Sequence, residues 1–301
     1  MAELSTASTT DPLVSVVVVS WNRRDLLRTV LTRVREQGYR NTEVIVVDNA
    51  STDGSPEMVR REFPEARLSA LSDNLGVGAY NIGFARSGGK YVVGLDDDSW
   101  PAADAIGKAV RMMETHGDVG IIAFRILHPD SGFDFSHDWP SEVTAMIGCG
   151  FMVRRDTLEQ AGYYDDSFFL YCNEDDLAIR VWNLGKRVVY APEIVAYHQT
   201  SSLHRSPSRT IYYFVRNSIW FIYKYFGIRK VALGWLRIIT IYLLSAIRRR
   251  CLKAWIKGVK DGFLGLKRIR RTTVSSGVQR FYRQNAPEFR AVYRLLLTRL
   301  R

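Results

Sequence analysis

The chain has 301 residues, 47% of them hydrophobic and 24% charged, enough apolar material for a sizeable core and too much for a disordered or collagen-like polymer. Cys149, Cys172 and Cys251 are sparse and far apart, which argues against a secreted disulfide scaffold or a structural zinc site and for a reducing compartment. The net charge of +11 hides two opposite parts: residues before 203 carry 19 Lys/Arg against 29 Asp/Glu, and the remainder carries 23 against only Asp261 and Glu288. An acidic first part can hold cations, and a basic second part meets something anionic.

Residues 1–12 lack the basic-then-apolar pattern of a signal peptide and are expected to form a flexible leader. Residues 14–19 are a continuous β-branched run, the mark of a strand covered on both faces. Leu26, Leu27, Val30, Leu31 and Val34 then recur at helical spacing, predicting a helix over 25–37 closed by Gly38. Residues 43–47 predict a second strand, 48–55 a loop rich in turn formers, 56–63 a short helix, 68–71 a strand and 91–95 another. Strand–helix–strand repetition predicts an α/β fold: a mainly parallel sheet with helices on both faces, over residues 13–202. Ligands of such sheets collect at the carboxyl ends of the strands. Three polar clusters fall there: Ser20-Trp21-Asn22, Asp48-Asn49 and Asp96-Asp97-Asp98.

Three consecutive carboxylates at the end of a buried strand repel one another unless a cation is present. Mg²⁺ or Mn²⁺ would take their oxygens together with phosphate oxygens from a substrate. A solvated acidic turn is the competing account of the triplet taken alone. Asp48 can accept a hydrogen bond from a pyrimidine ring N–H, and Trp21 offers a face for base stacking. A helix cap and core packing are the ordinary alternatives for those two residues.

Leu177, Val181 and Leu184 predict a helix over 174–184, with Asn173 as its cap and Glu174, Asp175 and Asp176 in its first turn. Asp176 can also pair with Arg180 at i+4. Capping needs one carboxylate, not three, and a carboxylate near a helix N-terminus is expected to stay ionised, as a general base must. His198, after a strand, is by itself more often structural than a ligand.

The stretches VSVVVVSWNRRDLL, VIVVDNASTDGS, NLGVGAYNIGFARSGGKYVVGLDDDSWP and GCGFMVRRDTLEQAGYYDDSFFLYCNEDDLAIRVWNLGKRVVYAPEIVAYH together resemble inverting glycosyltransferase family two, of GT-A fold. The likeness is greatest to bacterial rhamnosyl- and galactofuranosyl-transferase-like members. The resemblance implies a UDP- or dTDP-sugar donor and a saccharide or lipid-linked acceptor, in cell-surface polysaccharide or glycolipid assembly, with a soluble natural-product acceptor as the alternative. It places Ser20, Trp21, Asn22, Asp48, Asn49, Asn74, Asp96 and Asp97 at the nucleotide-sugar and Asp96, Asp98 and His198 at the metal. Glu174 becomes the base, or Asp175 if the motif slips by one residue. Tyr80 departs from the family, many members of which carry arginine or a small residue there. Acceptor specificity would sit in loops such as 133–147.

Residues 203–301 form a basic, largely helical region. The 17 apolar positions of 231–247 contain Arg237 and fall short of a spanning segment. From 248 to 264, Lys253, Lys257 and Lys260 interleave with Leu252, Trp255, Ile256, Val259, Phe263 and Leu264, a basic amphipathic helix suited to an anionic membrane surface. Packing on the first domain, or on a second copy in a homo-oligomer, is the alternative. A nucleic-acid partner is not expected, because the basic stretch is heavy with Leu, Ile and Trp and carries no nucleic-acid motif. A basic binding protein without catalysis is the reading from another class. The expected location is the cytoplasmic face of the plasma membrane, peripherally attached.

Overall fold

The computed structural model describes residues 11–200 and 206–285; residues 1–10 of the expected leader, and the expected boundary at 202/203, lie outside them. In chain order the elements are β1 (Val14–Ser20), α1 (Arg24–Arg35), β2 (Thr42–Asp48), α2 (Ser55–Glu62), β3 (Arg67–Ala70), α3 (Gly78–Arg86), β4 (Tyr91–Asp96) and β5 (Ser99–Pro101). Then follow α4 (Ala105–Thr115), β6 (Val119–Leu127), β7 (Phe151–Arg154), α5 (Arg155–Ala161), α6 (Asn173–Asn183) and β8 (Arg187–His198). Four helices close the described chain: α7 (Pro207–Tyr225), α8 (Ile228–Arg248), α9 (Leu252–Gly265) and α10 (Ser276–Asn285).

The strands form one eight-stranded sheet in the order β3-β2-β1-β4-β7-β6-β8-β5. Its first half is parallel, as the repeating pattern predicts; β7 enters antiparallel to both β4 and β6. Each face of the sheet carries its own core. Val16, Val18, Leu27, Val30 and Ile106 pack on one side, and Val17, Ile45, Phe84, Phe151 and Leu177 on the other. Alternation of side chains along β1 sends Val16 and Val18 one way and Val17 the other.

Two predicted details are corrected. Asn173 does not cap α6: the chain arrives through Tyr171 and Cys172, both at positive φ, so Cys172 occupies the cap position and Asn173 is already helical. The basic helix expected from 248 to 264 begins at Leu252, because residues 249–251 turn the corner between α8 and α9, with Arg250 at φ +55.

The helical layer is not loosely appended. Phe168, Cys172 and Ile179 of the sheet-bearing part join Val215, Ile219, Phe221, Tyr225 and Tyr282 in one hydrophobic cluster. Gly258 and Gly262 let α9 lie close on α7, where an added Cβ would meet Tyr212 O at 2.8 Å and Ile219 Cδ1 at 2.7 Å. Trp220 seals the contact by donating from Nε1 to Gly262 O at 2.8 Å. The predicted apolar set of α9 therefore divides. Trp255 and Val259 pack inward, whereas Leu252, Ile256, Phe263 and Leu264 stay exposed.

Gly94 sets the path of β4. Its missing side chain is replaced by the Phe151 ring of β7, which an added Cβ would strike at 2.3 Å. Gly94→Ala is expected to destabilise the fold by about 1–3 kcal/mol through overpacking, and Phe151→Leu in the same chain should restore part of the loss. Urea denaturation of the two variants beside the parent checks this; an unperturbed Gly94→Ala chain would show that the ring yields freely.

Candidate active site

The carboxyl ends of β1, β2 and β4 lie side by side, since the register pairs Ser20 with Asp48 and Val19 with Asp96. Beyond them opens a cleft of about 730 Å³, a size typical of small-molecule sites. Ser20, Trp21, Asn49, Asn74, Asp96, Asp97, Glu174, Asp175 and His198 all line it. The structure thus gathers most of the residues singled out from the sequence. Asn22, Asp48 and Asp98 are not in its wall.

The last three still shape it. Asn22, at φ +53, accepts from Thr52 N–H at 2.7 Å and donates its own N–H to Ser51 Oγ at 2.9 Å, which braces the loops after β1 and β2. Asp48 Oδ2 accepts from Ser51 N–H at 2.9 Å, while its buried Oδ1 has no hydrogen-bond partner among the described residues. Such an acceptor awaits a donor, since a buried polar oxygen left unpaired is costly. Asn49 grips the next loop from both ends of its amide, accepting from Leu75 N–H at 2.7 Å and donating to Gly76 O at 3.1 Å. Asn74 Oδ1 completes that turn by accepting from Gly76 N–H at 2.8 Å.

The three carboxylates of the acidic triplet go different ways. Asp96 accepts from the Tyr80 hydroxyl at 2.7 Å. Asp97 pairs with Arg23 at 2.9 Å and accepts from Trp21 N–H at 3.0 Å. Asp98 is fully buried; one oxygen lies 2.8 Å from the same Arg23 nitrogen and the other 3.2 Å from His198 Nε2. His198 arrives there because β5 runs antiparallel to β8 and pairs Ser99 with His198, while Gln199 N–H holds the Asp98 carbonyl at 2.8 Å. One guanidinium serves two carboxylates, and that is too little. Burial, with Asp98 beside it, pushes the Asp97 carboxyl up to about 7 against the pull of Arg23. The sequence reading overlooked Arg23, whose signal was its place just after the β1 end, facing the acids of the neighbouring strand.

Among the described residues, no three His, Cys, Asp or Glu side chains converge as a metal-ligand set. Asp98 and His198 touch, but Asp96, expected as their companion, is turned to the Tyr80 hydroxyl. That tyrosine is the residue that departs from the resembled pattern, and burial followed by the Asp96 charge holds its hydroxyl well above the usual range. A carboxylate oxygen and an imidazole nitrogen at a strand end still form a donor pair suited to Mn²⁺ or Mg²⁺ when phosphate oxygens complete the shell.

Across the cleft stand Glu174 and Asp175. Glu174 lies against Gly148, where an added Cβ would meet its Oε1 at 2.4 Å. Burial, then the nearby Asp175 and Asp96 charges, push its carboxyl up to about 8. The expectation that the helix terminus keeps this group ionised is corrected: loss of hydration outweighs the favourable backbone N–H. Asp175 is raised for the same reason, burial, with Asp176 adding to it.

Residues 15–177, more than half of the chain, match the family model of glycosyl transferase family 2. The chain belongs to that family. It is 28% identical over 242 residues to the N-acetylglucosaminyl-diphospho-decaprenol L-rhamnosyltransferase of Mycobacterium tuberculosis (strain H37Rv), covering 64% of this chain and 78% of the relative. Among solved structures it resembles the mannosyltransferase PcManGT of Pyrobaculum calidifontis in complex with GDP-Man and Mn²⁺, with a TM-score of 0.61 at 21% identity, over 97% of this chain and 89% of that one. It also resembles S. aureus TarS residues 1–349 in complex with UDP-GlcNAc, with a TM-score of 0.58 at 14% identity, over 84% and 92% respectively. The fold is GT-A, and the chain is a nucleotide-sugar-dependent glycosyltransferase related to bacterial polysaccharide and glycolipid transferases.

The transferase secures its acidic helix from the C-terminal layer. Asp176, fully buried, pairs with Arg180 at 2.6 Å as the i+4 spacing predicts, but also accepts from Tyr225 at 2.6 Å and Lys224 at 2.7 Å of α7. Lys224 reaches Asp165 as well, at 2.6 Å. Asn217 Nδ2 lies 2.7–3.0 Å from the carbonyls of Phe168, Leu170 and Tyr171, holding the positive-φ loop that leads into α6. No local sequence pattern announces these contacts, which join residues about fifty positions apart. Asp176→Asn removes the one fully buried charge that Arg180 and Lys224 share and is expected to cost about 3–5 kcal/mol. Urea denaturation of the purified variant checks the figure; a loss below about 1 kcal/mol would mean that the α6–α7 seam holds by apolar contact alone.

Proposed function

We propose that this transferase is inverting and metal-dependent, moving a sugar from a UDP- or dTDP-sugar to a hydroxyl of a lipid-linked saccharide acceptor. The observation that carries this reading is one cleft shared by the β1, β2 and β4 ends and by Glu174. Behind its wall, Asp48 Oδ1 would accept the pyrimidine N–H once the base enters between the loops, and the Trp21 ring would cover the base, with Ser20, Asn22, Asn49 and Asn74 shaping the surrounding loops. Asp98 and His198 would hold a divalent ion, with Asp96 and Asp97 beside it; when bound, the ion supplies positive charge against the departing diphosphate. Glu174 would take the proton of the acceptor hydroxyl as it attacks the anomeric carbon from the face opposite the leaving group. The Mn²⁺ in the mannosyltransferase complex and the lipid-diphosphate acceptor in the rhamnosyltransferase's name support the reading. A soluble acceptor is disfavoured by the exposed apolar faces described next.

The base must be ionised to act. With its carboxyl raised to about 8, the rate should climb as pH rises through 8 and level off above it. Glu174→Gln should retain nucleotide binding, lose at least about a hundredfold in turnover and lose that limb of the pH profile. Transfer kinetics from pH 6 to 9.5 check both. Full turnover in Glu174→Gln together with loss in Asp175→Asn would move the base by one residue.

Attachment to the membrane would come from α8 and α9. Ile228, Leu233, Leu236, Leu244 and Ile247 of α8 are exposed together with the four outward residues of α9. Lys253 and Lys260 of α9 and the arginines at 248–250, between the two helices, are exposed as well. α8 is 21 residues long with a mean hydropathy of 1.6, so by length and composition it could cross a bilayer. It carries Arg229, Lys230 and Arg237, however, and one side is held by α7, where Trp235 Nε1 donates to Ile219 O at 3.0 Å. We therefore assign it to the surface of the cytoplasmic leaflet. Each basic residue near an anionic surface contributes roughly 1 kcal/mol, so Lys253→Glu with Lys260→Glu should cut pelleting with phosphatidylglycerol vesicles about tenfold or more. High salt should release part of the bound parent. Pelleting indifferent to salt and to both reversals would indicate a spanning helix.

A further inference from the structure

The cleft does not end at the acidic edge. Its far wall is made by the helical layer and includes Arg209 from the first turn of α7 and Arg249 from the end of α8. Most arginines of the first part are paired, as Arg28 with Glu62 and Arg35 with Glu65. These two are not: neither guanidinium has a hydrogen-bond or carboxylate partner among the described residues, and Arg209 Nε is shielded from solvent without an acceptor. Unpaired guanidinium groups in a cleft are built for a phosphate, whose oxygens match their donor geometry.

We infer that Arg209 and Arg249 form a subsite for the phosphate of a lipid-linked acceptor. This rests on the transferase reading above and specifies its acceptor. The make-up of the cleft argues for it. Glu174 marks where the reacting hydroxyl must lie. The same cleft is lined by Tyr171, Phe214 and Tyr242, whose rings stack in pairs at 4.5 Å and 5.9 Å and offer flat apolar faces to a sugar. The two arginines line it too, and Ile247 and Leu252, near Arg249 along the chain, are exposed. A carboxylate for the hydroxyl, aromatic faces for the sugar, guanidinium groups for the phosphate and exposed apolar residues for the hydrocarbon together suit a saccharide joined through phosphate to a prenyl chain. The donor's diphosphate has its own place at the acidic edge with the Asp98–His198 pair.

Calorimetric titration tests the assignment without turnover. Farnesyl diphosphate, farnesol and UDP with Mn²⁺ are each titrated into the full chain and into Arg209→Gln, Arg249→Gln and the double variant. The expected result is an affinity for farnesyl diphosphate lowered about tenfold or more in the double variant, with farnesol and UDP binding as they do to the parent. Farnesyl diphosphate affinity unchanged in the double variant overturns the proposal. A parallel fall for UDP also overturns it, by giving the pair to the donor. Should the double variant fail to fold, Arg249→Gln alone, exposed at a helix end, decides by the same comparison. Parent chain that hydrolyses nucleotide-sugar yet shows no farnesyl diphosphate binding would sink the subsite while leaving the transferase reading intact.

Discussion

Carboxylates stacked at the end of a buried strand repel one another, and Asp96, Asp97 and Asp98 stay together only because other elements deliver compensating groups to each. Tyr80 of α3 serves the first, Arg23 from the start of α1 serves the second and third, and His198 from the end of β8 meets the third. Each of these groups comes from a different element of the fold. The topology is therefore what makes the acidic edge tolerable, though burial, with Asp98 beside it, still raises the Asp97 carboxyl against the pull of Arg23. A site in that condition favours a cation, and an anionic ligand that brings one.

The helical layer has a second constraint to satisfy. The loop at 168–172 runs through three residues of positive φ, Phe169, Tyr171 and Cys172, a conformation that side chains adopt only when their surroundings insist. Asn217 supplies that insistence through three carbonyls, and Asp176 locks the following helix to Lys224 and Tyr225. Glu174 and Asp175 are thus held in place by residues about fifty positions later in the chain. The C-terminal helices serve two ends: one side positions the acids, and the other offers apolar and basic surface outward.

Much of the acidic edge was legible from the chain itself. Strand ends marked by β-branched runs followed by Ser20-Trp21-Asn22, Asp48-Asn49 and the acidic triplet are local patterns, and local patterns survive folding. What escaped were partners set by register. Arg23 looked like an ordinary helix-start residue, and nothing near Asp176 in sequence points to Lys224. The pairing of Asp176 with Arg180 was legible at i+4, but not that α7 would also engage it while Glu174 and Asp175 line the cleft. Asn173 looked like a cap because its side chain suits one; the left-handed entry through Cys172 could be known only from the tertiary contacts of α7. The split of the α9 apolar set has the same origin, since Gly258 and Gly262 choose which face meets α7.

The account stands most directly on the claim that Asp98 and its edge receive a nucleotide diphosphate together with a divalent ion. Calorimetry of UDP and dTDP binding, with Mn²⁺ and with chelator, in the parent and in Asp98→Asn measures this without any acceptor. The account predicts that Mn²⁺ tightens binding of at least one nucleotide by about tenfold or more in the parent and has no effect in a folded Asp98→Asn chain. Nucleotide binding of equal strength with and without Mn²⁺ in the parent, or a metal effect undiminished in Asp98→Asn, would contradict it.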